Sequence, residues 1–119
     1  MNPAPASAAA WQKWGAWKTR NSSTAGAFKC RLYIEAVTTG SRILFTGAMQ
    51  CTKPVNGLIY VNSVPGTGGL HTGNCVQPTE VCTVSWYENN PSGSQDWHAA
   101  TTGYQSAVEI PSVNIVFRA

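Results

Sequence analysis

The sequence predicts an all-β protein: a small antiparallel β-sandwich of six or seven strands, closed by two disulfides and preceded by an extended N-terminal arm. Three observations predict it. Short runs alternate apolar and polar residues with period two. Turn formers separate these runs at close intervals, with no strong helical pattern between them. The four cysteines, Cys30, Cys51, Cys75 and Cys82, form an even set without a CxxC pair, which suits disulfides rather than zinc.

Composition agrees. At 119 residues the chain has the length of one domain, and only 11% of it is charged, against roughly 25% in a typical soluble domain. Ser, Thr, Gly, Asn and Gln supply the polarity, as in secreted β-proteins. No apolar run approaches the ~20 residues of a membrane span.

The elements follow in order. In residues 1–10, Ala6-Ser7-Ala8 fits the small-x-small rule of a signal-peptidase site, so this stretch reads as the remnant of an export signal. Residues 11–26 form a Trp-rich arm, and the β-sandwich domain spans 27–119. Within it, Phe28, Cys30, Leu32, Ile34 and Ala36 share one face of a strand, and Ile43, Phe45, Gly47, Met49 and Cys51 share that of the next. A two-residue Gly40-Ser41 turn between them suits a hairpin with glycine first. That register sets Leu32 opposite Met49, Ile34 opposite Gly47, Ala36 opposite Phe45 and Cys30 opposite Cys51. A non-hydrogen-bonded pair brings Cα atoms to ~4.5 Å, within disulfide reach. Cys30–Cys51 is therefore one bridge, and Cys75–Cys82 is the other.

Residues 57–64 form a third strand, and 65–74 a glycine-rich turn that lacks the GK[ST] end of a phosphate loop. Cys82, Val84 and Trp86 then share a face, residues 89–95 form a loop, residues 96–104 form a strand, and Val113, Ile115 and Phe117 face inward in the last.

No catalytic or metal-binding constellation stands out. Asp96 and His98 share a strand face, but nothing specifies a serine to complete a triad. The carboxylates are scattered, and all four cysteines are committed to disulfides. The reading is a non-enzyme with no cofactor and no metal. Five basic residues precede the first acid, Glu35, yet no nucleic-acid-binding motif accompanies them.

The arm carries the functional signal. Trp11, Trp14 and Trp17 recur every third residue beside Lys13, Lys18 and Arg20. In a polyproline II or helical conformation the three indoles line one side, whereas a plain strand would scatter them. Trp is the residue most enriched at binding hot spots, and the lysines would steer and rim the contact. These six residues are the expected partner-binding set. The competing readings are an arm folded back on its own sheet, a membrane-binding peptide and sugar stacking.

The segment CVQPTEVCTVSWYENNPSGSQDWHAATTGYQ, with its close cysteine pair, Ser/Gly loop and Trp-x-Ala-x-x-x-Gly-Tyr strand, resembles small secreted actinobacterial β-sandwich proteins. Among them it is most similar to the adaptor subunits of umbrella toxin particles. The resemblance runs from Cys30 to Tyr104 and includes the presence of an arm. It implies a secreted, non-catalytic adaptor in an antibacterial hetero-oligomer, linking a lectin subunit to a large toxin polypeptide. In that family the N-terminal extension enters a cleft of the lectin subunit's protease-like domain. The second partner would dock on the folded domain, at the loop of residues 65–74. Rival classes are a membrane-active or antimicrobial secreted protein and a secreted protease inhibitor.

Overall fold

A computed structural model describes residues 9–65 and 70–119. They form seven strands: β1 (Ala10–Trp14), β2 (Lys18–Ser22), β3 (Gly26–Thr39), β4 (Arg42–Val64), β5 (His71–Asn89), β6 (Asp96–Gln105) and β7 (Val108–Arg118). The strands pair antiparallel in one sheet with the path β1-β3-β4-β6-β7, β2 on β3 and β5 on β4.

The expected hairpin forms in its expected register. Cys30 pairs with Cys51, Leu32 with Met49, Ile34 with Gly47 and Ala36 with Phe45. Gly40 takes a φ of 64° at the turn, a conformation that costs a residue with a Cβ. Both disulfides are present, Cys30–Cys51 with a Cα separation of 4.1 Å and Cys75–Cys82 with 6.0 Å. They fit an oxidising compartment.

The long β4–β5 ribbon organises everything else. β5 runs along β4 from Arg42 to Val61, with register shifts between Gln50, Val55 and Gly57. On its other edge β4 takes β3 along Arg42–Cys51 and β6 along Leu58–Val64. Bending at the irregular middle folds the sheet over into two layers, nearly a barrel. Residues 57–64 are thus the second half of β4 rather than a separate strand, with Ile59, Val61 and Ser63 inward. The core between the layers contains Leu32, Ile34, Phe45, Trp86, Trp97, Ile110 and Phe117.

Two expectations need correction. The turn expected over 65–74 ends earlier, because His71–Asn74 pair with Leu58–Val61 as the start of β5. Its residues 66–69 lie outside the described residues, as do residues 1–8 of the stretch 1–10 read as an export-signal remnant, whose Ala10 begins β1. The Trp segment is neither polyproline II nor helix. It is extended and hydrogen-bonded to β3, since an edge of β3 unpaired with β4 would otherwise leave main-chain groups without protein partners.

Candidate binding face

β1 and β2 both lie on β3, in registers one residue apart. Trp14 is opposite Tyr33, whereas Lys18 is opposite Cys30. Three residues, Gly15, Ala16 and Trp17, therefore face two, Arg31 and Leu32. This is a β-bulge. The Gly15 N–H donates to the Leu32 carbonyl at 2.8 Å. A Cβ on Gly15 would stand 3.2 Å from the Pro111 carbonyl oxygen and 3.3 Å from Val113 Cβ, so the bulge lies close against β7.

The bulge decides where the indoles go. Before it, Trp11 is opposite Ala36 and shares the inner face, while Trp14 shares the outer face with Tyr33. In an uninterrupted strand Trp17 would point inward, because residues three apart alternate faces. The extra residue resets the phase, and Trp17 joins Trp14 outside. Trp11 stacks on Phe117 at 4.3 Å between ring centroids. The three tryptophans thus divide, one closing the core toward β7 and two exposed at 41% and 38%.

On the outer face the two indoles interleave with the outward side chains of β3. The Arg31 guanidinium lies 3.8 Å from the Trp14 ring centroid and 4.4 Å from that of Trp17. Lys29 Nζ stands 4.8 Å from the Trp17 centroid, and the Tyr33 ring is 4.5 Å from Trp14. The result is a ladder, Tyr33–Trp14–Arg31–Trp17–Lys29, in which cations meet the negative faces of indoles. Arg31 Nε donates to Gln50 Oε1 at 2.9 Å. Tyr33 Oη hydrogen-bonds Gln12 at 2.8 Å and Glu35 at 2.9 Å. Desolvation, then the hydrogen bond to Glu35 and its negative charge, push the Tyr33 hydroxyl up to about 12.

Of the remaining expected partner-binding residues, Lys13 and Lys18 are exposed, opposite Ile34 and Cys30 respectively. Arg20 is turned away from the ladder. Its Nε donates to Gln105 Oε1 at 3.0 Å, tying β2 to β6. The ladder members missed at the sequence level are Lys29, Arg31 and Tyr33. Their alternation on the polar side of β3 was the available signal.

Elsewhere, Asp96 pairs with Arg118 at 2.8 Å rather than with a histidine. Buried Ser63 accepts from Trp86 Nε1 at 3.4 Å and donates to buried Glu88 at 3.3 Å, with His71 stacked on Trp86 at 4.3 Å. Among the described residues no three His, Cys, Asp or Glu side chains gather as a metal site.

No family model matches the chain. No curated protein matches it either. Among solved structures, the GAE domain of GGA2p from Saccharomyces cerevisiae aligns over 87% of this chain and 97% of its own, with 12% identity and a TM-score of 0.29. A likeness at that level carries no argument about function.

Proposed function

We propose that this chain is a secreted, non-catalytic binding module, an adaptor that docks a partner protein on the outer face of β1–β3. The observation that carries the reading is the pair Trp14 and Trp17, two large exposed indoles held on one face by Arg31 and Lys29. Immobilised aromatic rings bury much area on docking while losing little conformational freedom. Cations locked beside them supply orientation. The resemblance to umbrella toxin adaptors supplies the class of assembly: other secreted proteins, a lectin subunit and a large toxin polypeptide, in an antibacterial hetero-oligomer. A groove of one such partner closes over the Trp14–Trp17 ridge.

The test is co-purification. The oxidised protein is isolated from its native secretome and its companions identified, then the experiment is repeated with Trp14→Ala/Trp17→Ala. Loss of the companion with an intact fold and both disulfides is the expected result, and an unchanged complex refutes the reading. Dye release from anionic vesicles by the unmodified protein would favour the membrane-active class instead.

A further inference from the structure

The docking face is unbalanced in charge. On the outer face of β3, Lys29 and Arg31 stand against a single carboxylate, Glu35, while Lys13, Lys18 and Arg20 are opposite the inward residues Ile34, Cys30 and Phe28 and belong to the other face. Glu35 already accepts a hydrogen bond from Tyr33. Of the other acids, Glu88 is buried on β5 and Asp96 is paired with Arg118 across β6 and β7.

Arg31 is held in a distinctive way. Its Cζ lies over two indoles at once, 3.8 Å from the Trp14 ring centroid and 4.4 Å from that of Trp17. Stacking leaves a guanidinium only its rim for hydrogen bonding. Nε on that rim donates to Gln50, so the remaining donors sit on the two terminal nitrogens. That is a fork of the shape a carboxylate accepts bidentately. Lys29 stands two residues away on the same strand face, beside Trp17. Positions i and i+2 of a strand are separated by ~6.6 Å.

We propose that Arg31 and Lys29 recognise two carboxylates of an extended acidic segment of the partner, spaced at alternate residues. The inference rests on the docking face described above. An extended segment repeats its side chains on one side at the same ~6.6 Å, so alternate acidic residues match Arg31 and Lys29 in step. Each cation is interleaved with an indole, so the charges are separate points set in an aromatic surface. A phosphate polymer is better served by a continuous cationic track.

The probe is a fluorescein-labelled peptide with three glutamates alternating with serines, titrated into the oxidised full chain at low salt. Its glutamine counterpart, a peptide with the same three glutamates contiguous, and polyphosphate are run alongside. The alternating peptide should bind saturably, at least tenfold tighter than the glutamine version and several-fold tighter than the contiguous one. Arg31→Lys, which keeps the charge but not the fork, should weaken it at least fivefold. Lys29→Gln should do the same, and it carries the test if the Arg31 variant does not fold. Lys53→Gln, at a lysine bonded to the Ala25 carbonyl, should change binding by less than twofold. Equal binding of the glutamate and glutamine peptides overturns the proposal. So does full binding by Lys29→Gln, or tighter binding of polyphosphate. The two readings fail separately. A native companion lost on Trp14→Ala/Trp17→Ala but retained by Arg31→Lys and Lys29→Gln leaves the docking face standing and removes its acid recognition.

Discussion

Gly47 faces Val61 across the interior with no room for another carbon: a Cβ on Gly47 would overlap Val61 Cγ2 and stand 2.9 Å from Thr101 Oγ1. Both residues belong to β4, one in each half, so this contact marks where the bent strand packs against itself. Close-packed interiors relax little. Gly47→Ala should therefore destabilise by about 1–3 kcal/mol, read as a lower denaturant midpoint. A midpoint equal to that of the unmodified protein would show that the two layers sit farther apart.

The tryptophans should separate by stability. Trp11 stacks on Phe117, so Trp11→Ala removes a core-facing ring and should cost about 3 kcal/mol. Trp14 and Trp17 lose only outer-face contacts, with Arg31, Lys29 and the Tyr33 ring, and Trp14→Ala or Trp17→Ala should cost about 1 kcal/mol each. Equilibrium urea unfolding of the three variants checks the order.

The turn between β6 and β7 is built from the wrong residues for its shape. Ser106 and Ala107 have φ of 50° and 65° and form the two-residue loop joining Gln105 to Val108. A turn with positive φ at both positions favours Asn-Gly. Ser106→Asn with Ala107→Gly should raise stability by about 1 kcal/mol, measured as a higher denaturant midpoint.

Tyr33 makes an alkaline prediction. Its folded pKa of about 12 lies above the ordinary 10.0, so the folded state holds the proton more tightly than the unfolded chain. The stabilisation is complete below pH 10.0 and disappears as pH rises through about 12. Ultraviolet titration should show a tyrosine ionising near pH 12, absent in Tyr33→Phe. The same variant should lose less stability than the unmodified protein between these pH values.

How much was legible follows from which interactions are local. Period-two alternation in β3 and in the first half of β4, with Gly40 at the turn, sets one hairpin register. Cys30 and Cys51 then meet without adjustment. Short-range pattern suffices there, because a slip of one residue would turn Leu32, Ile34 and Phe45 out of the core. The ladder was only half legible. Trp14 and Trp17 stood out only together with Trp11, and Arg31 and Lys29 read as the solvent side of a strand. Which strand covers β3 is a long-range matter.

The sequence by itself determined the all-β class, the hairpin of β3 with the first half of β4, both disulfides and the surplus of indole and positive charge near the N-terminus, since each depends on neighbours along the chain or on cysteine count. Tertiary structure decided what the Trp-x-x-Trp-x-x-Trp spacing means. Pairing with β3 makes the segment a strand, and the bulge at Gly15–Trp17 resets its phase. Trp11 is thereby sent inward to Phe117, while Trp14 and Trp17 close around Arg31 outside. The physical reason is that a side chain's face is set by the register of the strand opposite, and register against a distant partner is not written in spacing alone.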